Sequence, residues 1–400
     1  MTKQDVHSLR HKNLIYFKNS EMDFSLMWAL GYQAYSGASI GEVFYAASRI
    51  NEKDINSWVN EWTALAERVE TAAAAELARQ HITTATEGYL RAFTYYRFAA
   101  VGVLCTKPRY EQLVRKFEAC FAQAASLLKL ERVNIPFEGK ALPGYFWRST
   151  PAKLREKRPT IIVIGGGESY NEDLYFFGGA EGIRRDYNVL MVDIPGQGAT
   201  AFDGLHYRAD VEVPVKTAVD WLIHQPEVSP ERIAIYGVST GGYISLRAAA
   251  FEKRIHACAV STPILDFHRL MMSALPQVVR LNSSFLDAAA LLSRFFDPSM
   301  VITIQRTAWQ MGVEKVSEAL ERVKTWTVDT RLIDCPVLCI LGEGEAAGFK
   351  METEECYKLL SGSKRLRVYT VAEGADAHCQ INNLRLAHQE LYDWLDEVLS

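Results

Sequence analysis

The chain has 400 residues, of which 48% are hydrophobic and 23% charged. This length and composition are typical of a folded globular protein with two domains, or with one large domain and an appendage. The formal net charge of -4 and the pI near 6.2 give no reason to expect nucleic acid or an anionic membrane as a partner, so we expect a small molecule or another protein.

The N-terminal stretch MTKQDVHSLRHKNLIYFKNSEMDF lacks the apolar segment of a signal peptide, and no part of the chain reaches the roughly 18 apolar residues of a membrane span. These features favour a cytoplasmic protein. The seven cysteines are scattered and mostly lie in apolar runs, which indicates reduced core residues rather than a disulfide framework. No second cysteine or histidine pair at zinc spacing accompanies Cys335 and Cys339, so no metal and no cofactor are expected.

The first third of the chain has a helical pattern. From residue 22 to about residue 130, apolar and aromatic residues recur at spacings of three and four, as in INSWVNEWTALAERVETAAAAELARQ. This pattern predicts a helical N-terminal domain at residues 1–130. Most of its aromatic residues are expected to pack between helices. The segment YLRAFTYYRF also offers flat rings for a substrate, and Tyr95 and Tyr96 are the candidates for substrate binding.

The remainder of the chain, residues 131–400, alternates short apolar runs with helical stretches. A hairpin with its turn near Glu138 and Gly139 is predicted first, followed by runs such as TIIVIGGG, NVLMVDIPGQG, RIAIYG and PVLCILGEGE. Strands that alternate with helices predict an α/β fold with a mostly parallel sheet. Residues 266–331 interrupt the alternation with a helical pattern, which predicts a cap over the carboxyl edge of the sheet.

Ser239 is the candidate nucleophile. In YGVSTGGYIS it follows a predicted strand, is flanked by small residues and precedes a helix. A nucleophile elbow needs these three features, because the hydroxyl must project from a tight turn above a helix N-terminus. By itself the G-x-S-x-G pattern is weak evidence, so the context carries the assignment.

An oxyanion site is predicted from two backbone amides. One is the N–H of Thr240, directly after the serine, and the other is the N–H of Gly167 in the glycine-rich turn after TIIVI. The same turn could instead bind a dinucleotide. However, GGGESYNED has neither G-x-G-x-x-G spacing nor a P-loop lysine, and it carries several acidic residues.

The base and the acid are predicted in the loops after the last two strands. His378 lies in EGADAHCQINN, a polar loop that directly follows the final strand. The order serine, acid, histidine favours Glu345 as the acid, in the loop after PVLCIL. Glu343 is the alternative, and Asp376 and Asp266 are weaker ones. The expected chemistry is serine attack with His378 as general base and then general acid.

The chain as a whole resembles α/β-hydrolases with a long helical N-terminal domain. This family groups 2,6-dihydroxypseudooxynicotine hydrolase, fungal heptaketide-forming pigment hydrolases and the fermentation/respiration switch protein. The resemblance covers nearly the whole chain and is carried by WVNEWTALAERVE, TEGYLRAFTYYRFA, IGGGESYNED, VDIPGQG, GVSTGGY and AHCQINN. It implies Ser239 as nucleophile, Glu345 as acid and His378 as base.

The resemblance also implies a reaction. Family members split carbon–carbon bonds next to ketones, so a retro-Claisen cleavage of a polyketide or of a related aromatic β-diketone is expected. The same triad would hydrolyse an ester, thioester or peptide bond, and a non-catalytic regulator is a third interpretation. We expect the helical domain and the cap to form the substrate chamber. Dimerisation is the alternative role of the helical domain.

Overall fold

The computed structural model describes residue 10 and residues 14–149, 157–275, 287 and 298–400. The chain divides into two compact units. The helical unit comprises Asn13–Glu131 and Ser284–Trp309, and the sheet unit comprises Met1–Lys12, Arg132–Ser283 and Gln310–Ser400. None of the described helices is long and apolar enough to cross a membrane.

The helical unit is built mainly from three long helices. Its helices are α1 (Ser20–Gly31), α2 (Ile40–Ala47), α3 (Ile55–Ala78), α4 (Ile82–Val101), α5 (Pro108–Leu128) and α10 (Pro298–Met311) up to Trp309. Asp54 caps α3 by accepting a hydrogen bond from the N–H of Asn56, and Pro108 opens α5 at a position where no intrahelical donor is needed. Helices α3 and α4 approach closely at Gly88, where a Cβ atom would lie 2.8 Å from the Cβ of Ala73.

Aromatic side chains fill the interior of the helical unit. The indoles of Trp58 and Trp62 are 5.6 Å apart, and Trp62 packs against the rings of Tyr95 and Phe98. The indole N–H of Trp58 donates to the carbonyl of Phe98 over 2.7 Å, so the polar atom of this buried ring has a partner. These contacts join α3 to α4.

The sheet unit contains one eight-stranded sheet in the order β1-β2-β4-β3-β5-β6-β7-β8. The strands are β1 (Glu131–Phe137), β2 (Lys140–Trp147), β3 (Arg158–Ile164), β4 (Asn188–Val192), β5 (Val228–Val238), β6 (Ala257–Ser261), β7 (Val337–Gly342) and β8 (Lys364–Tyr369). Strands β3 to β8 pair in parallel, and β2 pairs with β4 antiparallel. Strands β4, β6 and β7 are buried along their whole length, as a parallel sheet covered on both faces requires.

The predicted hairpin joins β1 to β2. Its turn residues Glu138 and Gly139 have φ angles of 48° and 76°. Positive φ at both central residues is the signature of a tight two-residue hairpin turn, and glycine adopts it without strain. Along β1 the buried residues alternate with exposed ones, so one face of this edge strand packs on the core.

The described helices of the sheet unit lie between and after its strands, and two of them fall between β6 and β7. They are α6 (Gly179–Arg184), α7 (Glu212–Ile223), α8 (Thr240–Phe251), α9 (Phe267–Ser273), α11 (Val316–Arg322), α12 (Ala347–Leu359) and α13 (Leu384–Val398). The two ends of the predicted cap meet, because Asp266 and Thr327 form an antiparallel bridge. Residues 276–286 and 288–297 of this interval lie outside the described residues. The domain boundaries and the role of the cap stay predictions.

Candidate active site

Ser239 occupies a strained turn between β5 and α8. Its backbone has φ 53° and ψ −120°, a combination that non-glycine residues rarely adopt. Its N–H donates to the carbonyl of Ser261 over 2.6 Å, and its carbonyl accepts from the N–H of Gly242 over 2.7 Å. The side chain is half-buried, so the hydroxyl can meet a ligand. These bonds hold the strained conformation, which is the geometry expected of a nucleophile elbow.

The glycines around the serine are required by close packing. A Cβ atom on Gly237 would lie less than 3.0 Å from the carbonyl oxygen of Gly241 and from the hydroxyl of Ser245. A Cβ atom on Gly241 would meet the carbonyl of Ile164 at 2.5 Å. Helix α8 therefore starts directly against the ends of β3 and β5, and only glycine allows this approach.

The Gly237→Ala substitution is expected to destabilise the sheet unit. The new methyl group would collide with backbone that cannot move without separating β5 from α8, and overpacking of this kind costs about 1–3 kcal/mol or more. Chemical denaturation should show a lower midpoint than for wild type. Gly362→Ala is the matched control, because the nearest atom to a Cβ there lies 3.9 Å away. Equal midpoints for both variants would contradict the packing argument.

The glycine loop, defined as residues Gly165–Gly167, lies against the serine turn. A Cβ atom at Gly166 would lie 3.0 Å from the Cβ of Ser239, and one at Gly167 would lie 3.2 Å from Oγ1 of Thr240. The N–H of Gly166 is engaged, since it donates to the hydroxyl oxygen of Ser169 over 2.6 Å. Within the described part of the chain, the N–H of Gly167 has no acceptor. Thr240 opens α8, where helix amides have no partner inside the helix.

Glu345 and His378 are hydrogen-bonded to each other. Nδ1 of His378 lies 2.8 Å from Oε2 and 3.0 Å from Oε1 of Glu345. Both side chains are buried, at 7% and 0% exposure. The carboxylate accepts the Nδ1 proton, so Nε2 is the ring nitrogen left to exchange protons. The loops that carry the two residues are joined by a backbone hydrogen bond, because the N–H of Gly344 donates to the carbonyl of Asp376 over 2.8 Å.

The other candidate acids have different partners. Glu343 accepts from the N–H of Val371 at 3.1 Å, and Asp376 accepts from the side-chain amide of Asn382 at 3.1 Å. Asp266 caps α9 by accepting from the N–H of Arg269. The structure thus brings Glu345 to the histidine. The catalytic roles of Ser239, Glu345 and His378 stay predictions.

The surroundings of His378 favour its charged form. Burial alone would lower the pKa of this imidazole, but the adjacent Cys379 and Glu345 raise the pKa to about 10. The thiol of Cys379 contacts the carbonyl of Ser261 at 3.4 Å, the same carbonyl that accepts from the N–H of Ser239. The end of β6 therefore joins the serine turn to the histidine loop.

Sequence reasoning missed several residues that hold the site. The ring of Phe349 lies 4.8 Å from the imidazole of His378, at an interplanar angle of 37°. The side-chain amide of Gln197 donates to the carbonyl of Gly165 over 2.6 Å. Ser169 and Gln197 lie within the quoted motifs GGGESYNED and VDIPGQG, and Phe349 follows GEGEAAG. Proximity to the motifs was the available signal, but the contacts depend on the fold.

Tyr95 and Tyr96 lie in the interior of the helical unit. Their exposed fractions are 0% and 1%. The hydroxyl of Tyr95 donates to Glu42 over 2.6 Å, and that of Tyr96 donates to Glu70 over 2.7 Å. Tyr96 also borders a groove of about 450 Å³. Both rings pack in the interior of the helical unit, and the substrate contacts predicted for them stay a prediction.

Replacement of Tyr95 by phenylalanine is expected to lower stability. The hydroxyl also accepts from the N–H of Ser39 over 3.0 Å, so its removal takes away the acceptor of that N–H. Such a loss costs about 1–3 kcal/mol. Tyr45→Phe is the control, because Tyr45 is 52% exposed and on the same unit. Urea titrations that give the same unfolding free energy for both variants would refute the structural role of the Tyr95 hydroxyl.

No group of three or more histidine, cysteine, aspartate or glutamate side chains could hold a metal ion among the residues that the structure describes. The described cysteines, including Cys258, Cys339 and Cys356 in the sheet unit, carry free thiols. The site therefore offers a hydroxyl, an imidazole, a carboxylate and backbone amides as its chemical groups. This set suits nucleophilic acyl chemistry.

Comparisons with known proteins identify relatives over nearly the whole chain. Hydrolyase ccsE of Aspergillus clavatus is 30% identical, over 95% of this chain and 97% of its own length. The 20-hydroxy-prefusarin hydrolase FUS2 of Gibberella moniliformis is 29% identical, over 96% and 98%. The alpha/beta hydrolase xenA of Xenoacremonium sinensis is 32% identical, over 80% and 81%.

The solved structure of 2,6-dihydroxy-pseudo-oxynicotine hydrolase is similar in fold. It superposes with a TM-score of 0.73 at 22% identity and covers 92% of this chain and 95% of its own. The predicted α/β-hydrolase fold and the family resemblance are confirmed, and the protein is an enzyme of the α/β-hydrolase type. Residues 50–313, which include Ser239 and the glycine loop, match the family described as FrsA-like esterases. The chain therefore belongs to the FrsA-like esterase family.

Proposed function

We propose that the protein is a serine hydrolase that cleaves a carbon–carbon bond next to a ketone by a retro-Claisen reaction. Its substrate is a polyketide or a related aromatic β-diketone. The observation that carries the serine mechanism is the hydrogen bond of 2.8 Å from His378 to Glu345, in a loop that shares the carbonyl of Ser261 with the strained serine turn. A carboxylate that fixes the imidazole tautomer lets Nε2 act as a general base.

The reaction proceeds in two halves. Oγ of Ser239 attacks the ketone carbon while its proton passes to Nε2 of His378, and the N–H groups of Gly167 and Thr240 bind the oxyanion. Collapse of the tetrahedral adduct breaks the bond to the α-carbon. The electron pair leaves as an enolate, which takes the proton back from His378. Water then hydrolyses the acyl-serine, with His378 again as base, and releases the carboxylic acid.

The choice of a carbon–carbon bond rests on the relatives. The family resemblance given by the sequence motifs implies cleavage next to ketones. One curated relative, 29% identical, carries the name 20-hydroxy-prefusarin hydrolase. The triad by itself is compatible with several scissile bonds, so the proposed substrate class is assigned from the similarity to these relatives.

Carboxylester hydrolysis is the second candidate function. The family that matches residues 50–313 is described as an esterase family. An ester needs the same attack and the same oxyanion site, but its leaving group is an alkoxide that His378 protonates at oxygen. The two functions therefore differ in the leaving group and not in the triad.

Intact-protein mass spectrometry with matched substrates separates these candidates. Purified protein is incubated with an aromatic β-diketone or with an aryl ester of the same acyl group, and the acyl adduct is mapped to its residue. We expect an adduct on Ser239 from both substrates, and equal amounts of acid and ketone from the diketone. Ester turnover with an untouched diketone would favour the esterase. Turnover without any adduct on Ser239 would contradict the serine mechanism.

The roles of the other parts of the chain are proposals as well. We propose that the helical domain and the insertion at 266–331 shape a chamber for a small-molecule substrate. Association into a homodimer through the helical domain is the alternative role. Sedimentation at several protein concentrations, together with substrate kinetics, distinguishes the two.

A further inference from the structure

Side chains from separate parts of the sheet unit hold the glycine loop in place. The carbonyl of Gly165 accepts from Gln197, and the hydroxyl of Ser169 donates to the carbonyl of Gly166 over 3.2 Å. This second bond orients the peptide group whose N–H belongs to Gly167. The next peptide group, which follows Gly167, is held by a residue far away in the chain.

That residue is Gln310, at the end of helix α10. Its Nε2 donates to the carbonyl of Gly167 over 2.6 Å, across 143 positions of sequence. The side chain is buried, with 5% of the residue exposed. A short hydrogen bond from a buried side chain to a carbonyl restrains both partners, because breaking it would cost each a hydrogen-bond partner.

The backbone around Gln310 is itself anchored. Its carbonyl accepts from the N–H of Tyr207 over 2.9 Å. The guanidinium of Arg322 donates to the carbonyl of Met311. Directly afterwards, Gly312 adopts a positive φ of 64° and ends the helix, as glycine commonly does. Gln310 therefore presents its amide from a fixed point.

We propose that Gln310 is a positioning residue for oxyanion binding. Glycine has wide freedom in φ and ψ, so the N–H of Gly167 keeps its direction only if the peptide groups on both sides of the residue are held. Ser169 holds the first and Gln310 holds the second. This inference rests on the proposed serine mechanism, which uses the N–H of Gly167 as an oxyanion donor. It adds that Gln310, at the end of α10, restrains the orientation of that donor.

The substitution Gln310→Met tests this role, because methionine matches the length of glutamine and removes the donor. We expect kcat for an aryl ester to fall about tenfold or more. Removal of a whole oxyanion donor lowers kcat by about 10²–10³-fold, and here the N–H of Gly167 remains but its orientation is no longer fixed. KM should stay within about twofold, because the substrate carbonyl gains the hydrogen bond mainly in the transition state. The matched control is Gln305→Met, on the same helix at an exposed position, with kinetics like wild type.

A second readout excludes a merely structural effect. An aryl trifluoromethyl ketone forms a hemiketal oxyanion on the serine, so its inhibition constant should rise by the same factor as kcat falls. Thermal unfolding of Gln310→Met and Gln305→Met should agree within a few degrees. An unchanged kcat, or a loss of kcat without weaker binding of the trifluoromethyl ketone, would overturn the inference.

Failure of the underlying function gives a different pattern. A fluorophosphonate probe should label Ser239 in the wild-type protein. Wild-type protein that is not labelled and turns over no ester contradicts the proposed function, and the inference with it. Labelled, active wild-type protein whose activity is insensitive to Gln310→Met contradicts the inference alone.

Discussion

Replacement of Ser239 by alanine is expected to lower turnover by about three or more powers of ten while the fold stays intact. Loss of the nucleophile removes the acyl-serine route, and the activity that remains comes from binding and oxyanion stabilisation alone. Stability should not change, because the side chain of Ser239 makes no capping hydrogen bond to α8. The methyl group of alanine occupies the space of the existing Cβ.

The measurement is kcat for an aryl ester and for a β-diketone, with circular dichroism and thermal unfolding in parallel. Ser245→Ala is the matched control, because Ser245 lies on α8, which follows the serine turn, and is fully buried. The control should keep its turnover. Retained activity in Ser239→Ala would exclude the serine mechanism, whichever bond is cleaved.

Much of the sheet unit could be predicted from local patterns. Apolar runs of five to seven residues that alternate with helical stretches gave the parallel strands. The small residues around Ser239 predicted the tight turn. The close packing that requires them involves residues only a few positions apart at the strand-to-helix junction. The hairpin turn at Glu138 and Gly139 could also be predicted, because its geometry is set by the two turn residues themselves. Features formed by residues close together in the sequence can therefore be predicted from short motifs.

Other features of the site depend on contacts across the chain. Glu343 and Glu345 both follow β7, and Glu345 is distinguished by its hydrogen bond to His378 in a different loop. Gln310 is separated from Gly167 by 143 positions, and no motif marks it. A periodic pattern cannot reveal such pairs.

The helical unit shows a third kind of difficulty. Helix α4 is buried along almost its whole second half, from Tyr89 to Ala100, apart from the half-buried Arg91. When nearly every face of a helix is covered, its periodicity predicts the helix but not the direction of any one ring. The substrate contacts predicted for Tyr95 and Tyr96 therefore rested on composition, and composition does not distinguish a core ring from a pocket ring.

Exchange of Glu345 for glutamine is expected to lower kcat/KM by about two to four powers of ten. Glutamine keeps the size of the side chain but loses the charge that orients the imidazole and stabilises the imidazolium formed during attack. Glu343→Gln is the matched control. That carboxylate accepts from the N–H of the exposed Val371 at 3.1 Å, and we expect less than a threefold change in kcat/KM.

The Glu345→Gln substitution is also expected to shift the pH dependence of kcat/KM. In the proposed mechanism the general base is neutral His378. In the native site burial lowers the pKa of that imidazole, while Cys379 and Glu345 raise it, to about 10. Glutamine removes the contribution of Glu345, so the pKa of His378 falls and the acid limb of the profile moves to lower pH.

The pairing of charged His378 with Glu345 also stabilises the folded state below the ordinary histidine pKa of about 6.5. That stabilisation is lost as the pH rises through about 10, and the Glu345→Gln variant should lack it. An acid limb that stays in place, or a loss of activity confined to Glu343→Gln, would transfer the role of the acid away from Glu345.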